Sequence, residues 1–310
     1  MKTVGLLVGR ERTFPDALIA EITKRDAGVR AEYAKFDLTR VDTPPEYDVL
    51  IDRISHDVTC YQPMLKVCAL RGTRVVNNPF WRIADDKAVG TALAKSLGVA
   101  VPKTFILPSK SYGNDVSAAS LSNLKFPLDW QGMAKELGFP MFIKPHWGGG
   151  FRDVYRVDSL DELWRAYNKT GNLTMIAQEA IGWTQYVRCI VVGKKEVLAL
   201  LWDPRLNHFE RYTRAAESMP ALSPELEQTV ISQAQTLCEA LGYDMNTVEF
   251  AVRDGVPYAI DFMNSAPDFD ISSLGEKPFA WVVSKMADLS IRLANETAER
   301  VYRWDALLGR

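Results

Sequence analysis

The stretch Phe139 to Val157, FPMFIKPHWGGGFRDVYRV, constrains this chain more than any other. After Pro140, Met141 to Ile143 is a short apolar run of the kind a buried strand shows. Lys144 stands at its end, where an apolar run would not ordinarily place a charge. Gly148, Gly149 and Gly150 follow, and Val154 to Val157 resume a strand pattern. Strand, lysine, glycine turn and strand can bring backbone N–H groups and one ammonium onto a polyphosphate. A glycine-rich hairpin with a snorkelling lysine has the same pattern. The choice between them rests on what accompanies the stretch.

The 310 residues suffice for two or three domains. Apolar residues make up 47% and charged residues 25%, as in an ordinary soluble globular protein. A net charge of −2 gives no electrostatic footprint for nucleic acid or a membrane surface. No apolar run approaches the roughly 18 residues of a transmembrane helix. The N-terminus, MKTVGLLVGRERTF, has too short an apolar run for a signal peptide and reads as a first strand. The four cysteines are scattered without a CxxC pair, so a reducing, cytoplasmic setting is expected and structural zinc is not. With three histidines, a His-rich metal site is not expected either.

Along the chain, Thr3 to Val8 has the continuous apolar character of a strand buried on both faces. Phe14 to Lys24 has helical spacing, Tyr47 to Ile51 is a second strand, Tyr61 to Leu70 a helix and Arg74 to Val76 a short strand. That alternation predicts a small parallel sheet, without the GxGxxG of a dinucleotide site. Arg53, Ser55 and His56 fall at the C-terminal end of a strand, where open α/β sheets meet ligands; a solvated loop is the plainer alternative. Asn77-Asn78-Pro79 marks a boundary. Asp85 to Leu97 is predicted as a helix closed by Gly98, with Lys87 in a first turn that disfavours cations unless an anion is near. Lys103 to Leu107 is a strand, and the polar residues 108–130 form an exposed insertion. Ser159 to Tyr167 is a helix with a capping box from Ser159 and Glu162. Thr174 to Gln178 is a strand ending at Glu179.

Val187 to Val192 and Glu196 to Trp202 form a hairpin across Gly193-Lys194. Arg188 lies in that apolar strand and needs an anionic partner. Ser223 opens a helix along Leu226, Val230, Ala234, Leu237 and Leu241. Thr247 to Val252 and Tyr258 to Met263 pair across Asp254-Gly255. Each carries an acid, Glu249 and Asp261, with Asn264 just beyond. Such acids suit magnesium bridging phosphates, or form salt bridges within the sheet. Phe279 to Leu293 is a final amphipathic helix.

Taken in order, these parts resemble the ATP-grasp superfamily, above all the RimK-like and glutathione-synthetase-like carboxylate–amine ligases. The segments NPFWRIADDKAVGTALAKSLGVAVPKT, FPMFIKPHWGGGFRDVYRV, IAQEAIGWTQYVRCIVVGKK and NTVEFAVRDGVPYAIDFMNSAPD carry the resemblance. It implies an α/β (α+β) fold: a Rossmann-like pre-ATP-grasp domain over residues 1–80, then a two-lobed ATP-grasp fold. The lobes would be a central subdomain with a glycine-rich lid over 81–178 and a C-terminal subdomain with the magnesium site over 179–310. Lys87 and Lys144 match the lysines that contact ATP phosphates, and Gly148 to Gly150 the loop that folds over them. Gln178, Glu179, Ala180 and Ile181 match the adenine-reading segment. Arg188 matches the catalytic arginine facing the transferred phosphate. Glu249, Asp261 and Asn264 match the magnesium ligands. The implied activity joins a carboxylate to an amine through an acyl phosphate, with release of ADP and phosphate. Cofactors would be ATP and Mg2+, and partners a small-molecule carboxylate and amine, with no nucleic acid and no membrane. A homo-oligomer stays open. So do a phosphotransferase on this fold and an ATP-binding protein with altered catalysis.

The chain also departs from the family pattern. Phe262 and Met263 both separate Asp261 from Asn264, where one residue is usual, so either the strand bulges there or Asp268 or Asp270 takes the asparagine's place. Tyr186 stands where an acid often precedes the arginine by two, and Phe151-Arg152 follow the glycines.

Overall fold

The computed structural model describes residues 1–42, 45–81 and 86–296. The run at the N-terminus forms β1 (Lys2–Leu7), flanked in a wholly parallel sheet ordered β2-β1-β3-β4 by β2 (Val29–Tyr33), β3 (Val49–Asp52) and β4 (Arg74–Val76). Helices α1 (Thr13–Arg25) and α2 (Tyr61–Leu70) cover it, as the alternation predicts. The sequence reading passed over β2, whose VRAEY pattern is short and half exposed.

Helix α3 (Lys87–Ser96) is capped by Asp86, whose carboxylate accepts from the Ala88 and Val89 N–H groups at 2.9 and 3.3 Å. The expected start at Asp85 lies outside the described residues. A second sheet, antiparallel and ordered β5-β8-β6-β7, contains β5 (Thr104–Leu107), β6 (Met141–Pro145), β7 (Tyr155–Val157) and β8 (Met175–Glu179). Helices α4 (Trp130–Leu137) and α5 (Leu160–Tyr167) bury it on one face. Helix α4 interrupts the end of the polar stretch and was not anticipated; Asp129 caps it by accepting from Gly132 N–H at 2.8 Å. At α5 the capping box is half made. Ser159 accepts from Glu162 N–H, while the Glu162 carboxylate reaches back to Asp158 N–H rather than to Ser159.

The third sheet is antiparallel and ordered β10-β9-β11-β12, from β9 (Gln185–Val192), β10 (Glu196–Leu201), β11 (Met245–Arg253) and β12 (Val256–Asp261). Short α6 (Ala215–Ser218) precedes α7 (Pro224–Leu241), which packs on one face of this sheet through Val230, Ala234 and Leu237. After α8 (Ile271–Leu274), the long α9 (Glu276–Asn295) shares one core with α1, β1, β3 and the other face of the third sheet. Strand β12 stops at Asp261, earlier than the pattern suggested. Phe262 turns into the core and Met263 packs beside it. The ladder does bulge, but before Asp261: Glu249 opposes Asp261 while Phe250 opposes Ala259, which leaves Ile260 as the extra residue.

Candidate active site

Period-two alternation aims Tyr186 and Arg188 of β9 and Thr247 and Glu249 of β11 at one face of the third sheet. The register sets Arg188 opposite Glu249, and Glu249 opposite Asp261. Arg188 Nε lies 3.3 Å from Glu249 Oε1, and Arg188 also donates to Thr247 Oγ1 at 3.2 Å. The Tyr186 hydroxyl donates to Glu249 Oε2 at 2.9 Å. The guanidinium carbon of Arg188 lies 5.0 Å from the Trp202 ring centre and 5.9 Å from that of Tyr212. Burial opposes the charge on Arg188, yet Tyr212, Glu249, Asp261 and Asp268 together outweigh it and raise its pKa. Burial also pushes the Glu249 carboxyl up, against the lowering pull of Arg188.

Lys144 faces the same acids from β6. It is 9% exposed, and burial lowers its pKa while Asp261 pulls the other way. Among the described residues its ammonium reaches only the Ile260 carbonyl, at 3.5 Å. Lys87 N–H donates to His146 O at 2.8 Å, and its ammonium donates to the Gly148 carbonyl, so α3 and the glycine loop are tied together. Lys87, Lys144, Gln178, Asp261 and Met263 line one narrow cleft between the second and third sheets. Gly148 and Gly150 hold positive φ, and no described residue comes within 4 Å of a would-be Cβ at either.

The adenine segment is placed less simply. Gln178 donates across the sheet to Thr104 Oγ1 at 3.0 Å, and Glu179 pairs with Arg253 at 2.9 Å. Ile181 is buried with Tyr186 and Trp202, so its side chain belongs to the core, and Ala180 adjoins it. Asn264 sits beside the arginine: its Nδ2 donates to Thr247 Oγ1 at 3.2 Å and its N–H to Asn246 Oδ1 at 2.8 Å. Asp270 caps α8, and Asp268 Oδ2 lies 3.0 Å from His208 Nε2. Arg53 is neither a solvated loop residue nor a cleft residue, being buried and forked onto Glu11 at 2.7 and 2.8 Å.

Among the described residues no three His, Cys, Asp or Glu side chains converge to hold a metal unaided. Glu249 and Asp261 face each other across paired strands, close enough to act on one another, and Asn264 lies beside them on Thr247. That set fits a hard cation whose remaining ligands are phosphate oxygens and water. Residues the sequence did not single out complete the site: Thr247, Trp202, His208 and Tyr212, together with Asp268, which was named only as a stand-in for Asn264. Thr247 was legible as the neighbour two residues before Glu249. The others lie in loops, where no periodicity points inward.

No family model matches the chain. It is 27% identical over 161 residues to a D-alanine–D-alanine ligase of Ralstonia nicotianae, covering 47% of this chain and 48% of that protein, so it matches about half the length of that relative. Among solved structures, D-alanine–D-alanine ligase from Bacillus anthracis complexed with ATP superposes with a TM-score of 0.63 at 18% identity, over 96% of this chain and 100% of that one. A RimK domain ATP-grasp protein from Sphaerobacter thermophilus gives 0.62 at 17% identity, over 95% and 99%. Among the described residues no helix is long and apolar enough to cross a membrane. The chain has the fold of the ATP-grasp ligases.

Proposed function

We propose that this protein is an ATP-dependent carboxylate–amine ligase, acting through an acyl phosphate and releasing ADP and phosphate. The observation that carries the reading is the convergence of two cations, Lys144 and Arg188, on the paired carboxylates Glu249 and Asp261. Paired acids at such a point are costly unless they serve a cation, and buried cations are costly unless they serve anions. Mg2+ would supply charge neutralisation and a template for the phosphates, held by Glu249, Asp261 and Asn264. Lys87 and Lys144 would bind phosphate oxygens, with Gly148 to Gly150 closing over them. Arg188 would stabilise the charge that spreads on the transferring phosphoryl group. Gln178 to Ile181 would border the adenine. Residues 1–80 would serve the carboxylate side, 81–178 would carry the lid, and 179–310 the metal side.

The test is a screen of purified protein with Mg·ATP against amino acids and small acids, alone and with amines, read by mass spectrometry. The expected result is ADP together with a product whose mass is acid plus amine minus water. A phosphorylated acid that accumulates whether or not an amine is present would make the protein a phosphotransferase. ATP binding without turnover for any pair would leave only the binding role.

A further inference from the structure

Four buried side-chain polar atoms find no hydrogen-bond partner among the described residues: Arg188 Nε, Tyr212 OH, Asp268 Oδ2 and Gln233 Oε1. Gln233 lies on α7, away from the cleft. The other three belong to one place, since Tyr212 stands 5.9 Å from the Arg188 guanidinium and Asp268 acts electrostatically on both. Buried groups left open in this way lose free energy unless something else completes them. Their polarities differ. Arg188 Nε donates, Asp268 Oδ2 accepts, and the phenol does either.

A carbonyl under attack by an amine presents the matching pair, an oxygen that accepts and a nitrogen that donates. We propose that Asp268 receives the acceptor amine, its Oδ2 accepting an N–H. This inference rests on the ligase reading. Asp268 is suited to the role because its two oxygens are divided. Oδ1 accepts from Asp270 N–H at 3.0 Å, which fixes the carboxylate and leaves Oδ2 turned to the site. Arg188 Nε already lies 3.3 Å from Glu249 Oε1, so Asp268 Oδ2 is left to accept from the free amine. In the step itself, the nitrogen lone pair forms the new bond to the acyl carbon. The bond from that carbon to the phosphate oxygen breaks, and its electron pair leaves on phosphate. The surplus proton on nitrogen passes to Asp268 Oδ2. His208 Nε2, 3.0 Å from that oxygen without the alignment of a hydrogen bond and 53% exposed, leads it to solvent.

The test uses the full chain with Mg2+ and the non-hydrolysable analogue AMPPNP, and follows melting as ethanolamine, putrescine or each standard amino acid is added. Bound ligand raises the melting point in proportion to its affinity. At least one amine should stabilise the wild-type complex, and Asp268→Asn should weaken that binding about tenfold or more while the shift from AMPPNP stays. The asparagine keeps the Oδ1 contact, so the unliganded melting point is the control for folding. If no amine stabilises the wild type, or the variant responds equally, a bridging water is all that Asp268 holds and the inference fails. If AMPPNP itself does not stabilise, the fault lies with the ligase reading. In turnover, Asp268→Asn should lose amine-dependent ADP release by more than about tenfold. It should retain release driven by hydroxylamine, which is neutral at pH 7 and gives up its proton without help. Equal losses with both nucleophiles would mark a structural role.

Discussion

Arg188 and Lys144 answer different questions about the same cleft. Lys144 is buried and, among the described residues, in contact with no carboxylate, so a charge-assisted bond to phosphate would be its main compensation. Lys144→Ala should weaken ATP binding by about 1.5–3 kcal/mol, measured by calorimetry, with circular dichroism unchanged. Full affinity in that variant would remove the lysine from the nucleotide site. Arg188 is held by Glu249, Thr247 and two aromatic rings, so it is set in place before any ligand arrives. Preorganised charge acts on rate more than on binding. Arg188→Met should lower turnover by about 100-fold or more with ATP affinity little changed, and lysine should rescue it only in part. A parallel loss of affinity and rate would make it a ground-state contact. Both residues were legible because each puts a charge in an apolar strand, a cost that advertises a partner. Tyr212 was not, and Asp268 was legible only as a possible metal ligand, since a loop residue looks alike in sequence whether it faces solvent or a cleft.

Elements decide where those side chains stand, and two devices at this scale can be tested. The first is the loop between β10 and α6, which carries His208, Arg211 and Tyr212. Asp203 pins it: its carboxylate accepts from Arg205 N–H and Nε, both at 2.9 Å, and from Ser218 Oγ at 2.9 Å, while its own N–H donates to Arg211 O at 2.9 Å. The Arg205 guanidinium holds the Asp203 pKa down to about 2. A carboxylate with a lowered folded pKa adds stability above its unfolded pKa and loses it as pH falls toward the folded one. Asp203→Asn should therefore cost about 1–2 kcal/mol at pH 7, discounted because Arg205 is largely exposed. The cost should fade between about pH 4 and pH 2, as urea melts at several pH values would show. A pH-independent difference would mean that packing, not charge, is lost. The second device is Gly90 on α3, where a Cβ would come within 2.8 Å of Met263 Sδ and 2.9 Å of its Cε. Gly90→Ala should push Met263 into the cleft at a cost of about 1–3 kcal/mol and weaken ATP binding. Unaltered affinity would show that Met263 swings aside. The extra residue between Asp261 and Asn264 is explained here: Phe262 and Met263 serve as the seat for α3. Spacing alone showed that the pattern was broken, but not that a helix filled the break.

At the scale of the whole molecule, the three sheets follow from local patterns that sequence displays well, whereas their mutual placement rests on a shared core and on contacts between residues far apart in sequence. The strongest is Arg53, at the end of β3. Its side chain is 4% exposed, forked onto Glu11, and bonded to Pro267 O at 2.7 Å across 214 residues of sequence. Phe14 and Phe269 enclose the guanidinium, each ring centre 5.0 Å from its central carbon. Sequence suggested a ligand or a solvated loop for Arg53, because a cation after a strand gives no hint of a partner so far along the chain. Pro267 lies between Asn264 and Asp268, so this contact ties the first sheet to the segment that completes the site. Arg53→Met should strip the counter-charge from a partly buried carboxylate and lower stability by about 3 kcal/mol. Adding Glu11→Gln should recover a good part of that, since the uncompensated charge goes too. Because Lys144 and the glycine loop do not touch Arg53, nucleotide affinity should survive while the apparent KM of the acid or amine rises. Urea denaturation of the single and double variants, with calorimetric ATP binding on each, decides the matter. If ATP binding and stability fall together, Arg53 merely holds the fold; if the double variant is no better than the single, the ion pair is not what joins the two halves.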